Sequence, residues 1–225
     1  MRGTATLGCA TGFRIIQLRN PDYVVLRIAH ARYACYPLLI VMYYRRNLPH
    51  GHPERASVFL TWRLYGSLPA GFLVRSHENK NVSSGEKFRR ADELLDRGDT
   101  GPVWLKDTRI ADCVVEKLAR GGDELHHYVL HAYVVMSNHV HVLLTPIIPL
   151  RRLTNSLKGT TARVANQILQ RNGQHFWQDE SYDHWCRNAV EFQRIRGYIT
   201  RNPVRVGLVV NPEDWPWSSA HNPGR

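Results

Sequence analysis

The sequence predicts an α+β sandwich, a split βαβ antiparallel sheet with helices on one face, and three observations predict it. Apolar residues alternate with a period of two in some segments and recur at helical spacing in others. These segments follow one another as strand, helix, strand, strand, helix, then short aromatic extended pieces, the order that a split βαβ unit produces. At 225 residues, with 43% hydrophobic and 10% aromatic content, the chain is long enough to bury a real core. One domain with a tail is the simplest division.

Each element has its own signal. From Ser57 to Tyr65 (SVFLTWRLY), Val58, Leu60, Trp62 and Leu64 share one face of a strand. Polar residues dominate from His77 to Asp99, and within them Phe88, Ala91, Leu94 and Leu95 specify a short helix closed by Gly98. Asp107 is the expected N-cap of the next helix, in which Ile110, Val114 and Leu118 recur at helical spacing. Its exit is expected at Gly121-Gly122, where positive φ is cheap. Leu125 to Met136 and His139 to Thr145 read as strands joined through Ser137-Asn138 into a hairpin.

From Leu150 the period changes. Leu150, Leu153, Leu157, Val164 and Ile168 line one helical face, with Arg151, Arg152, Lys158 and Arg163 largely off it. Gly159 weakens this helix, and Gly173 ends the segment. A last helix is expected over Ala189 to Asn202, with Phe192, Ile195 and Ile199 as its buried stripe. Pro203 is its expected stop, because the residue before proline is pushed out of helical geometry.

Chemistry concentrates on the hairpin. His139 and His141 are two apart on a strand, so both imidazoles project from one face while Val140 and Val142 turn to the other. Such a pair can grip one divalent cation, and it can equally decorate a half-buried strand with no metal; imidazole alone does not name the ion. Lys and Arg total 30 against 19 Asp and Glu, a net charge of +11, which favours nucleic acid or an anionic surface as partner. From His126 to Gln178 there is no acidic residue, yet Arg151, Arg152, Lys158, Arg163 and Arg171 fall inside that stretch. A phosphate-bearing ligand is drawn to such a zone with salt-dependent affinity; an ordinary solvated helix face has the same composition. Trp177 and Trp185 fit either core packing or base stacking. Asp179, Glu180 and Asp183 fit either metal ligation or caps and turns.

Cys9, Cys35, Cys113 and Cys186 show no CxxC spacing, which argues for a reducing compartment and against a structural zinc site. The longest apolar run, Tyr36 to Tyr44, is too short to span a bilayer, and the N-terminus lacks the ordered regions of a secretory signal. No membrane partner and a cytoplasmic location are therefore expected.

Six blocks carry a resemblance: VFLTWRLYGSLP (Val58 to Pro69), HAYVVMSNHVHVLLTP (His131 to Pro146), SLKGTTARVAN (Ser156 to Asn166), FWQDESYDHWCR (Phe176 to Arg187), YITRNPVRVGLV (Tyr198 to Val209) and WPWSSA (Trp215 to Ala220). In this order they resemble the REP-associated tyrosine transposases, from about Arg45 to Ala220. The resemblance implies a ferredoxin-like HUH endonuclease domain, a divalent metal such as Mg2+ or Mn2+, and cleavage and rejoining of single-stranded DNA through a 5′-phosphotyrosine. It places the metal-binding histidines on His139 and His141, the nucleophile on Tyr198 and a further metal ligand on Asn202, where related transposases often carry glutamine. It implies a hairpin-forming, REP-like palindrome as partner, bound by the basic zone of Arg151, Arg152, Lys158 and Arg163, and a nucleoid-associated bacterial protein acting as monomer or homodimer.

Residues 1–41 carry no part of the resemblance, so Met42 is the expected natural start, with a catalytic domain over 42–210 and a tail over 211–225. Two other functions are consistent with the residues: a repeat-binding protein without catalysis, and a metal-dependent phosphodiesterase of the HxHxH type, against which Leu143 stands at the third histidine position.

Overall fold

The computed structural model of the chain describes residues 4–8, 13–20, 23–30, 39–45, 49–53, 55–72 and 82–221, and up to residue 52 it describes the backbone alone. Two antiparallel sheets organise these residues. β1 (Thr4–Gly8), β2 (Phe13–Asn20), β3 (Tyr23–His30), β4 (Leu39–Arg45) and β5 (Pro49–Pro53) form a meander in sequence order. The start expected at Met42 falls inside β4, where Met42 pairs with Val25 on one side and His52 on the other. Cys9 and Cys35 lie outside the described residues.

The second sheet has the order β7-β8-β6-β9, antiparallel throughout, from β6 (Val58–Arg63), β7 (Tyr128–Val135), β8 (His139–Pro146) and β9 (Tyr182–Trp185). Between β6 and β7 run α1 (Ser84–Arg97) and α2 (Thr108–Asp123); α3 (Leu150–Ile168) joins β8 to β9, and α4 (Ala189–Arg205) follows. Because β8 lies between β6 and β7, the connection between those two is the crossover of a split βαβ unit, as expected. The α+β class and the antiparallel sheet therefore stand.

The helices, however, cover both faces of this sheet. Val58, Leu60, Trp62, Val140, Val142 and Leu144 pack with Ile110, Val114 and Leu118 of α2 and Leu150, Leu153 and Leu157 of α3. The alternate residues Phe59, Leu143, Ala132 and Val134 pack with Ile195 and Ile199 of α4 and Phe88 of α1. One face was expected to carry helices, yet all of Val58 to Trp62 is buried, so β6 needs partners on both sides. A bulge between Leu130 and Ala132 switches which β7 residues face which core.

Local signals mostly place the ends. Asp107 caps α2 by accepting from Arg109 N, and Gly98 closes α1 at φ 64°. Gly121 and Gly122 do not end α2, which runs to Asp123, and the positive φ falls on His126 at 51°. The reason for glycine at 121 is space: a Cβ there would lie 2.3 Å from the Tyr128 hydroxyl, which donates to Leu118 O at 2.7 Å. Pro203 does not stop α4, which continues to Arg205; Pro203 is itself buried, and that packing offsets the lost N–H. On α3 the inward face continues from Leu157 through Thr161 and Ala165, with Val164 and Ile168 only partly buried.

The segment after Asn211 docks. Val135 N donates to Trp217 O at 2.8 Å and Ser219 N to Tyr133 O at 2.9 Å, so the WPWSSA block covers the outer edge of β7. The Trp215 and Trp217 indoles donate to Val135 O and Asp112 Oδ1.

A buried Asp, His, His, Tyr site

β8 delivers both histidines to the face under α1 and α4, where each is fully buried. Their Nε2 atoms lie 3.1 Å apart. Each ring is held from behind: His139 Nδ1 faces Asn138 Oδ1 at 2.7 Å, and His141 Nδ1 faces Thr61 Oγ1 across the strand pair at 2.7 Å. Asn138 is in turn anchored by its amide donating to Leu95 O at 2.9 Å. With a proton on each Nδ1, both Nε2 lone pairs converge on one point, the arrangement in which outer partners fix a metal-ligating imidazole. Burial, with His141 adding to it, lowers the His139 pKa to about 3, so the ring is neutral at neutral pH and keeps one lone pair for a ligand.

α1 supplies the third group. Asp92 Oδ1 lies 3.1 Å from His141 Nε2 and 3.8 Å from His139 Nε2, and it is buried without a hydrogen-bond partner. Asp92, His139 and His141 form a buried group whose ligand atoms lie within 4.8 Å of one another, a cluster able to hold a metal ion. Two imidazole nitrogens and a carboxylate, with outer partners in place, fit a divalent cation. Burial alone would push Asp92 upward, but His141, His139 and the Tyr198 hydroxyl outweigh it and hold the carboxyl well below the usual range. Asp96, one turn along, is raised to about 6 by burial and by Asp92, against the pull of Arg205.

Tyr198 closes the site from α4. Its hydroxyl donates to Asp92 Oδ2, and its ring stands edge-on to His141 with centroids 5.5 Å apart. Arg205, two turns on, reaches Asp92 Oδ2 at 3.2 Å and the Tyr198 oxygen at 3.4 Å, and also pairs with Asp96. Burial, then Asp92, raises the phenol above its ordinary value. Asn202, one turn after Tyr198, is fully buried, and both Oδ1 and Nδ2 lack a hydrogen-bond partner. Leaving a buried polar group unmade costs about 1–3 kcal/mol, so that amide is unusual in a folded chain.

Residues 106–202 match the family model described as "Transposase IS200 like". Over 95 residues the chain is 27% identical to a curated protein of Escherichia coli (strain K12), a "REP-associated tyrosine transposase"; the alignment takes in 42% of this chain and 55% of that relative, so the chain spans about half its length. The family expected from the six blocks stands. Over these residues the chain is similar to a REP-associated tyrosine transposase. A solved structure described as a REP-associated tyrosine transposase bound to a REP hairpin is similar at 19% identity and a TM-score of 0.47, covering 79% of this chain and 82% of that one.

The IS200-like region contains His139, His141, Tyr198 and Asn202, whereas Asp92, Asp96 and Arg205 fall outside it. Sequence alone does not single those three out, although a signal exists: Phe88, Asp92 and Leu95 are spaced four and three apart, which sets an aspartate on an apolar helical stripe. Arg205 follows Tyr198 by seven residues, a further recurrence on one helix face. Among the expected basic residues, Arg151, Arg152 and Arg163 are exposed on α3. Lys158 donates to Gln178 O at 2.6 Å and Asp179 O at 2.8 Å, pinning the approach to β9. Trp177 is core, 5% exposed, with its indole donating to Thr161 Oγ1. Asp179, Glu180 and Asp183 are not members of the buried cluster. No helix among the described residues is long and apolar enough to cross a membrane.

Proposed function

We propose that this protein is a metal-dependent DNA strand transferase that nicks hairpin-forming, REP-like single strands and holds the cut end as a 5′-phosphotyrosine on Tyr198. One observation carries the reading: among the described residues, the hydroxyl that donates to the buried carboxylate of the Asp92, His139, His141 cluster is the phenol that the family resemblance marks as nucleophile. Asp92, His139 and His141 would hold the ion, with Asn202 as a further ligand, a role supported by its buried, unpartnered amide. When bound, a divalent cation, Mg2+ or Mn2+, supplies charge stabilisation at the phosphoryl oxygens.

The chain's own groups do the rest. The Tyr198 oxygen attacks phosphorus and releases its proton to solvent, the bond from phosphorus to the 3′ oxygen breaks, and the departing alkoxide takes a proton back from solvent to become a 3′ hydroxyl, so no net proton is gained or lost. The bond energy stays in the adduct, so the reverse step joins a strand. A carboxyl held as low as Asp92 is a weak base, so Asp92 orients the phenol more than it stores its proton. Arg205, within reach of the same oxygen, offsets negative charge developing there. The exposed Arg151, Arg152 and Arg163 supply affinity for the DNA backbone on α3, while Lys158, also expected there, is committed to the Gln178 and Asp179 carbonyls. The phosphodiesterase alternative is disfavoured because Leu143 is fully buried in the core where a third ligand would stand.

The test is a denaturing gel. Labelled single-stranded hairpins from the flanks of the gene, incubated with the protein and magnesium or manganese, are expected to give an SDS-resistant adduct that vanishes with chelator and in Tyr198→Phe. Cleavage by both proteins without an adduct would favour hydrolysis, and binding without cleavage would favour a repeat-binding protein.

A further inference from the structure

Arg63 ends the central strand β6 opposite His139 in the β6–β8 register. Directly paired residues on an antiparallel pair point the same way, with Cβ atoms about 4.5–5.5 Å apart, so the Arg63 side chain rises from the histidine face of the sheet. It is partly buried, and no carboxylate is paired with it among the described residues. Its two hydrogen bonds, from Nη1 to Leu64 O and Ser67 Oγ, are both long at 3.4 Å. A guanidinium offers five N–H donors in a rigid fork, so most of its capacity is uncommitted. Burial lowers its pKa to about 10, which still leaves it charged at neutral pH.

The contrast with Arg205 is instructive. The charge of that guanidinium is answered by Asp92 and Asp96, while Arg63, in register with His139, has no carboxylate paired with it among the described residues. Just past it, Tyr65 is 51% exposed and stacks on exposed His175 with ring centroids 5.2 Å apart, a platform on which an unpaired base can lie. We propose that Arg63 is a phosphate-binding residue of the site, gripping a backbone phosphate of the single strand next to the histidine pair and setting the register in which the strand crosses Tyr198. This rests on the strand-transfer reading. A forked guanidinium matches two phosphate oxygens, and release of the phosphate's counterions makes the contact salt-dependent.

The experiment measures binding of a fluorescent hairpin oligonucleotide from the gene's flanks by anisotropy, with magnesium, across a salt series, in the Tyr198→Phe background so that no strand is cut. Arg63→Met is expected to weaken binding about tenfold and to flatten the log–log salt slope by about 0.7, the share of one phosphate on a single strand. Arg63→Lys is expected to keep the slope and recover part of the affinity, and Arg109→Gln, on α2 and paired with Asp107, to change neither. Equal affinity and slope for Arg63→Met would overturn the assignment. Should that variant fail to fold, dicarbonyl labelling of Arg63 in the unaltered protein decides: protection by the oligonucleotide is expected, and labelling that the oligonucleotide does not alter, including none at all, would overturn it. Protein that neither binds hairpins nor forms an adduct with Tyr198 intact would instead sink the strand-transfer reading itself.

Discussion

Thr61 shows how much of the site is set by a single atom. Its hydroxyl faces His141 Nδ1 at 2.7 Å, and on that contact depends which nitrogen of the ring points at Asp92. Thr61→Val keeps the shape and removes the partner, so manganese affinity measured by calorimetry is expected to fall about 10- to 100-fold with little change in melting. Asp92→Asn removes a charged ligand and the acceptor of the Tyr198 hydroxyl together. It is expected to abolish measurable manganese binding while the chain stays folded, since it also relieves a buried charge. Retained affinity would mean that the two histidines and Asn202 suffice. His139, His141 and Tyr198 are legible in the sequence because strand alternation and a family motif mark them. Asp92 is not, because its partners are 47 and 49 residues away in the chain and only the packing of α1 on the sheet brings them together.

Whole elements carry their own constraints. Between α2 and β7, the Gly121 backbone sits against the Tyr128 ring, so Gly121→Ala must displace a buried phenol that donates to Leu118 O. That overpacking is expected to cost about 1–3 kcal/mol and to lower the melting temperature by several degrees, read by circular dichroism, with metal affinity unchanged. At the β7 edge of the second sheet, the WPWSSA segment pairs with β7 and covers what would otherwise be an open strand. Chain ended at Asn211 is expected to melt earlier and to scatter light at concentrations where the full chain does not. If it behaves as the full chain does, the docked segment contributes nothing to the sheet. The helix exits show where local signals end: Gly98 and Asp107 act as their types suggest, while Gly121 and Pro203 answer to tertiary neighbours and not to φ.

At the scale of the molecule, the two sheets differ in what they owe to the site. Among the described residues, the buried cluster of Asp92, His139 and His141 comes from the second sheet and its helices. We propose a catalytic unit over 42–210 with residues 1–41 an extension outside it, although β4 continues across Met42 and β5 touches β9. Protein begun at Met42 is expected to bind manganese and form the tyrosine adduct as the longer chain does. Loss of either, with a lowered melting temperature, would make the meander part of the working domain. What the sequence determined by itself is the class of fold, the hairpin with its histidine pair and the family, because periodicity and motifs are properties of neighbours along the chain. The division of helices between two faces, the aspartate above the histidines, the Arg205 contact with Tyr198 and the placing of Arg63 beside His139 were decided only in three dimensions. Those depend on distances between distant segments, which burial on both faces of one sheet imposes and no local pattern encodes.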